Sequence, residues 1–299
     1  MKILLFGKYG QLGWELQRSL APLGELTALC STSSNLCGDL RNLAGLAETV
    51  KAVAPDVIIN AAAYTAVDNA ETEPETARLI NALAPGVLAQ AAKRQNALLI
   101  HYSTDYVFDG SGNHAWLETD STGPLNIYGQ TKREGEELIV ATACRYLILR
   151  TSWVYAARGR NFIKTILRLA QQQQSLSIIN DQIGAPTGAE LLADVSTLMI
   201  NDAKNDSDLS GIYHLVADGL ASWHSYAEFI IQFARQSGLT LAVEPEAIHA
   251  VPSTQFVTPA RRPLNSRLST NKLQQQFGYT LPHWQIGVSR VLTEILEAG

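Results

Sequence analysis

Lys2-Ile3-Leu4-Leu5-Phe6-Gly7-Lys8-Tyr9-Gly10-Gln11-Leu12-Gly13-Trp14-Glu15-Leu16 decides the fold. The apolar run Ile3 to Phe6 reads as a buried strand, and a helix-like stretch from Gln11 to Leu20, with Trp14, Leu16 and Leu20 as apolar positions, follows the glycines. Strand, glycine loop and helix in that order are the context a dinucleotide needs. Gly7 permits the tight turn, Gly10 lets the backbone approach a pyrophosphate, and Gly13 lets the helix pack on the strand. The helix N-terminus then meets the phosphates. Gly7, Lys8, Gly10, Gln11, Leu12 and Gly13 are therefore candidate cofactor contacts.

Outward from this stretch, apolar runs recur at Leu26 to Leu29, Val57 to Ile59, Leu98 to Ile100 and Tyr146 to Leu149. Helical patterns fall between them across Leu43 to Val53, from near Thr76 to Arg94, and from Asn126 to Val140. The alternation predicts a Rossmann-type doubly wound parallel sheet of α/β class. Pro85 falls inside the second helix and should kink or split it. After Arg150 the pattern loosens, with helical stretches near Phe162 to Gln173, Leu191 to Ile200 and Tyr226 to Ser237 separated by Pro-rich connections. The expected division is a dinucleotide-binding domain over residues 1–155, to which about 188–216 return, and a smaller substrate-binding lobe over 156–299.

Ligands in such sheets bind beyond the carboxyl ends of the strands. The third strand ends in Asn60-Ala61-Ala62-Ala63-Tyr64-Thr65, whose small side chains would let a nicotinamide ribose approach the backbone, so Ala62, Ala63, Tyr64 and Thr65 are candidate contacts. The fourth ends in Ser103-Thr104-Asp105. Tyr128 and Lys132 stand four residues apart, which on a helix places both on one face. Bringing a phenol from a pKa near 10 to about 7 takes roughly 4 kcal/mol, and a neighbouring ammonium with a bound dinucleotide is expected to supply it. Such a phenol donates protons at neutral pH. With 10 tyrosines in the chain, the pair arises by chance in roughly one sequence of three or four, so its weight comes from the glycine loop beside it.

Composition narrows the function classes. A net charge of −5 and a pI near 5.7 offer no basic footprint for nucleic acid. No run is long enough for a membrane span, and the N-terminal apolar run is shorter than a signal peptide requires. Cys30, Cys37 and Cys144 are an odd number and read as reduced thiols, with a cytoplasmic location expected. The six histidines show no metal-ligand spacing. His101 reads as a packed residue at a strand end.

Thr104, Tyr128 and Lys132, with the N-terminal glycine loop, resemble the extended short-chain dehydrogenase/reductase family. Within it the chain is similar over nearly its whole length to the dTDP-4-dehydrorhamnose reductases. The segments that carry this are Leu5 to Lys8, His101-Tyr102-Ser103-Thr104-Asp105-Tyr106-Val107-Phe108, Pro124 to Gly129, Arg150 to Tyr155, Asn180-Asp181-Gln182-Ile183-Gly184-Ala185-Pro186-Thr187, and Arg262 to Ser266. The resemblance implies NADPH- or NADH-dependent reduction of the 4-keto group of a dTDP-sugar, dTDP-4-dehydro-L-rhamnose. It gives Thr104 to the sugar's C4 oxygen, proton exchange to Tyr128, and ribose binding and tuning of the phenol to Lys132. Asp105 would bind the sugar, Trp153 would stack on or border the sugar-nucleotide, and Arg262 and Asn265 would lie near its phosphates. It also implies Mg²⁺ at a homodimer interface, held by Glu15, Glu190 and Glu294.

One departure concerns the cofactor. The end of the second strand usually carries an acid for the adenosine ribose, and here stands Cys30. Nothing there repels a 2′-phosphate. Lys8 is the nearest expected cation, Asp39 and Leu40 are expected to bracket the adenine, and dual use of both cofactors, tilted to NADPH, follows. Related 4,6-dehydratases follow the active-site Thr with Asp-Glu, whereas Tyr106 follows Asp105 here, which disfavours elimination. An epimerase would keep the same Tyr and Lys. A non-catalytic regulatory subunit like the methionine adenosyltransferase β subunit is the remaining alternative, and the joint presence of Thr104, Tyr128 and Lys132 argues against it.

Overall fold

Alternation within the apolar runs places Ile3 and Leu5 on one face of a sheet and Leu4 and Phe6 on the other, and both faces are buried. The computed structural model describes residues 1–204 and 206–297. Its main sheet has six parallel strands: β1 (Lys2–Phe6), β2 (Glu25–Leu29), β3 (Val57–Asn60), β4 (Leu98–Thr104), β5 (Arg145–Thr151) and β6 (Gly211–His214), in the order 6-5-4-3-1-2. Helices α1 (Gln11–Leu20) and Ala189–Ala203 cover the face carrying Ile3, Leu5, Ile59 and Leu149. Helices α2 (Leu43–Val53), α3 (Ala84–Gln95) and α4 (Ile127–Thr142) cover the face carrying Leu4, Phe6, Ile58 and Leu99. The chain leaves β1 for β2 at one edge and then returns through β3 to the other side, so the strand order reverses at β1. The crevice beyond the carboxyl ends of β1 and β3 is where such sheets hold ligands.

Strand β6 was not among the expected apolar runs. Its sequence Gly211-Ile212-Tyr213-His214 lacks a hydrophobic run, and its place beside β5 comes from tertiary pairing. A second core gathers Ile163, Ile166, Tyr226, Ile230, Trp284 and Val288 from helices Phe162–Gln172, Trp223–Gln236 and Trp284–Glu297. It lies apart in sequence from the glycine loop.

Pro85 does not break its helix. The helix runs Pro74–Arg78, widens to a π-turn at Leu79–Leu83 and resumes as α3, with the Ala84 N–H donating to the Leu79 carbonyl. Pro85 has no N–H for the Asn81 carbonyl, and the wider turn accommodates that loss. The Asn81 carbonyl instead presses on α4, where a Cβ at Gly135 would lie 2.2 Å from its oxygen.

Candidate active site

The glycine loop is held from three sides. The N–H groups of Gly7 and Lys8 donate to the Leu29 carbonyl at 2.9 and 3.1 Å, tying it to β2, and Gln17 Nε2 donates to the Lys8 carbonyl at 2.8 Å. Gly7 has φ of +93°, and a Cβ on Gly13 would sit 2.0 Å from the Gly7 oxygen. Only glycine lets α1 start this close to the loop. The cradle that results opens into a cleft of about 1000 Å³, lined by Gly7, Gly10, Gln11 and Leu12 at one end and by Ser103, Tyr128, Lys132 and Thr151 at the other. This length, running from a helix N-terminus to a phenol and an amine, fits a dinucleotide. Ser103 Oγ and Thr151 Oγ1 are buried there with no protein partner, which leaves two hydroxyls free for a polar ligand.

Helix α4 presents Tyr128 and Lys132 to this end. Asn126 caps it by accepting from the Gly129 N–H at 2.8 Å and ties it to the late chain by donating to the Arg261 carbonyl at 2.7 Å. Farther along, Glu136 receives Arg150 of β5 in a bidentate pair at 2.6 and 3.0 Å, with both side chains 4% exposed. The π-turn adds a third tether. Asn81 accepts from the Tyr64 N–H at 2.8 Å and donates to the Tyr64 carbonyl at 3.0 Å and to Thr131 Oγ1 at 3.2 Å.

Tyr128 is half-buried, edge-on to Tyr106 at 5.7 Å between ring centroids. Burial pushes its phenol up to about 12, with the Thr104 hydroxyl pulling it down and Asp105 pushing it further up. Thr104 Oγ1 donates to Asp105 Oδ1 at 3.0 Å and accepts from the Tyr106 N–H at 3.1 Å. Asp105 is 2% exposed, its Oδ2 has no hydrogen-bond partner, and burial raises its carboxyl to about 6 against the opposing pull of the nearby Ser266 and Thr104 hydroxyls. Lys132 differs from expectation. Its Nζ lies 3.1 Å from His101 Nε2 and donates to the Tyr102 carbonyl at 2.6 Å, and burial lowers it to about 8 although Glu136 favours its charge. The lysine is held by β4, and the phenol of the protein alone is not brought towards 7.

Of the expected cofactor contacts, Gly7, Gly10, Gln11, Leu12, Cys30, Asp39, Leu40, Ala62, Ala63, Tyr64 and Thr65 all line the cleft. Gly13 lies behind the loop. Lys8 is not among the lining residues, and its ammonium lies 4.9 Å from the Tyr9 ring. A cation that does line the cleft is Arg41, with Cys30, Ser31 and Thr32, and it grips Asp39 through Nε and Nη2 at 3.0 and 2.8 Å. Arg41 directly follows Asp39-Leu40, so the signal was local and the sequence reading stopped one residue short of it. Cys30 Sγ lies 3.3 Å from Thr32 Oγ1, and hydrogen bonds from Thr32 and Ser33 lower its thiol to about 7.

The expected substrate residues are more dispersed. Trp153, with φ of +49°, stacks on Trp223 at 3.7 Å and lies against Gly184, outside the lining of the cleft. Arg262 pairs with Asp68 at 2.7 and 3.1 Å, and its charge reaches Tyr106 beside Tyr128. Asn265 is 1% exposed, and its amide is spent on the chain, donating to the Ser111 and His114 carbonyls and accepting from Arg267. Its role here is to hold loops together. The three expected magnesium ligands do not form a metal site within one chain. Glu190 and Glu294 both engage Arg290, at 3.1 and 3.6 Å, and Glu15 engages Arg18 at 3.4 Å. Among the described residues no group of three or more His, Cys, Asp or Glu side chains is placed to hold a metal.

A glycine cradle, a dinucleotide-sized cleft and a Thr–Tyr–Lys set at its far end define a nicotinamide-dependent oxidoreductase of the extended short-chain dehydrogenase/reductase fold. The model of the RmlD substrate binding domain family matches residues 1–297. A dTDP-4-dehydrorhamnose reductase of Shigella flexneri is 56% identical over 295 residues, covering 99% of this chain and 98% of that one. Among solved structures, a dTDP-4-dehydrorhamnose reductase of Clostridium acetobutylicum superposes with a TM-score of 0.89 at 34% identity, covering 99% of this chain and 100% of the other. The enzyme of that name from Bacillus anthracis, solved in complex with NADP, has a TM-score of 0.87 at 33% identity, covering 98% and 99%. The chain belongs to the dTDP-4-dehydrorhamnose reductase family.

Proposed function

We infer that this chain reduces the C4 ketone of dTDP-4-dehydro-L-rhamnose to the alcohol of dTDP-L-rhamnose. The observation that carries this is one cleft with the glycine cradle at one end and Tyr128 and Lys132 at the other, the Thr104 hydroxyl lying behind Tyr128 within hydrogen-bonding reach of its phenol. Bound reduced nicotinamide supplies the hydride for C4. Tyr128 transfers its phenolic proton to the ketone oxygen, so hydride and proton together complete the alcohol. Thr104 fixes that oxygen by donating to it, which requires giving up its bond to Asp105 Oδ1. Asp105 Oδ2, buried and unpartnered, is free to accept from a sugar hydroxyl. Arg262, whose charge reaches Tyr106 beside Tyr128, is the cation suited to the diphosphate.

Tilting towards NADPH rests on Arg41 with the Ser31 and Thr32 hydroxyls. Arg41 already neutralises Asp39, so no bare carboxylate faces a 2′-phosphate. The two-domain division, a cytoplasmic location and a homodimer are further parts of this reading. In that dimer Glu15, Glu190 and Glu294 of two copies would together offer the oxygen ligands that Mg²⁺ requires.

The deciding experiment offers purified protein several 4-keto nucleotide sugars with NADPH and identifies the product by NMR. Formation of dTDP-L-rhamnose with matching NADPH oxidation is the expected result. An isomerised ketone without net oxidation would make the chain an epimerase.

A further inference from the structure

Asn60 at the end of β3, His101 on β4 and Lys132 on α4 form one buried row, exposed by 1%, 1% and 2%. Asn60 Nδ2 lies 3.2 Å from His101 Nδ1, and His101 Nε2 lies 3.1 Å from Lys132 Nζ. The direction of the protons follows from the ends of the row. The Ala62 N–H donates to Asn60 Oδ1 at 3.3 Å, which turns the amide NH₂ towards the imidazole. An amide NH₂ only donates, so Nδ1 accepts, and a neutral imidazole that accepts at Nδ1 carries its proton on Nε2. That N–H faces Lys132. An ammonium has three donors and no lone pair, so the contact closes only if the lysine is a free amine, accepting from His101 and donating to the Tyr102 carbonyl.

We propose that His101 is a positioning residue that holds Lys132 as its free amine in the dinucleotide-free protein. The alternative proton arrangement needs an ammonium at Lys132, a proton moved from Nε2 to Nδ1 of His101, and a rotated Asn60 amide that abandons the Ala62 N–H. The additional proton comes from solvent through the cleft. Ala62 lines the cleft, so a ligand lying on it bears on the amide that sets this arrangement. Loading the cleft would thereby be linked to charging the lysine, which rests on the dinucleotide-binding reading above.

The surroundings agree. Burial depresses His101 well below its ordinary value, so an imidazolium is disfavoured. Burial likewise lowers Lys132. The groups that reach the lysine are His101 and the Tyr102 carbonyl from β4 and Glu136 from α4, with Asn60 from β3 beyond the histidine. Glu136 is engaged by Arg150 from β5. Glu136 alone favours the ammonium.

Long-range ¹H–¹⁵N correlation spectra of the native protein, ¹⁵N-labelled at its six histidines and free of dinucleotide, read the tautomer directly. His101, assigned by the signal lost in His101→Gln, is expected with a protonated Nε2 and a bare Nδ1 at pH 9, above the value of about 8 to which burial lowers Lys132. A proton on Nδ1, or on both nitrogens, overturns the proposal. The second measurement is the pH dependence of NADPH affinity, expected to break at about 8 in the native protein. In His101→Gln the amide oxygen can accept from an ammonium, so the break should move up by about one pH unit, a tenfold gain in proton affinity. A break that stays in place overturns the positioning role. The tautomer is read without substrate or turnover, so failure of the proposed reaction leaves this result standing.

Discussion

Tyr128 can release its proton to the ketone only if the ligand-filled cleft offsets the burial that holds its phenol at about 12. Tyr128→Phe should therefore cut turnover by about a hundredfold or more while leaving NADPH affinity nearly unchanged, and steady-state kinetics beside a binding titration will check both. Arg41→Ala should move the NADPH-to-NADH ratio of kcat/KM towards NADH, because the exposed guanidinium acts on a phosphate that only one cofactor carries. An unmoved ratio would return the preference to Cys30 or Lys8. Asp105 makes a prediction about pH. Its carboxyl is raised from 3.8 to about 6, chiefly by burial, so the folded protein holds the proton more tightly than the unfolded chain does. The stability this confers is present below pH 3.8 and is lost as pH rises through about 6, on the order of 3 kcal/mol for a shift of this size. Asp105→Asn should abolish that part of the loss, and thermal melts of both proteins from pH 4 to pH 8 should diverge as pH rises.

The π-turn at Leu79–Leu83 positions the active site without touching a substrate. It turns the Asn81 side chain onto Tyr64 and Thr131, joining the strand-three loop of the cleft to the helix that carries Tyr128 and Lys132. Asn81→Ala would leave the part-buried Tyr64 backbone groups without a protein partner, at a cost of up to about 1–3 kcal/mol for each unsatisfied group, less where water in the cleft reaches it. Dinucleotide affinity should fall, and hydrogen exchange should rise at Tyr64 and along α4 more than in the second core. Uniform exchange across the molecule would make Asn81 an ordinary core residue. The same helix shows what a periodic pattern conveys. Apolar spacing located α2 at Leu43–Val53, and the proline inside the next helix announced a disturbance. The form of that disturbance depended on Gly135 of a different helix leaving room for the Asn81 carbonyl.

Assembly is the largest feature left to test. Glu190, half-buried beside Arg290, has its carboxyl raised by burial, and the charges of Glu294 and Glu15 push it the same way. These acids therefore sit close enough to repel one another, with Arg290 partly offsetting them. If a second copy completes a Mg²⁺ site here, the ion stabilises the pair by mass action. Sedimentation with EDTA should then show more monomer at low protein concentration, and added Mg²⁺ should reverse it. An association state indifferent to the ion, with Glu15→Gln behaving like the native chain, would leave three surface carboxylates and their arginines.

The first five strands, the glycine cradle and the Tyr128–Lys132 spacing were legible in the sequence because each depends on residues within a few positions of one another. Burial on both faces demands continuous apolar runs, a close turn demands glycine, and helical pitch puts residues four apart on one side. What surrounds each functional group was decided by the tertiary structure. His101 reached Lys132 and Arg150 reached Glu136 only once β4 and β5 lay under α4. Asn265 and Trp153 found partners in the chain itself, the one in the loop at Ser111 and His114, the other in Trp223. Hydrogen-bond partners and desolvation are properties of the space around a group, and here that space was assembled from segments 14 to 154 residues apart, at a separation no local pattern records.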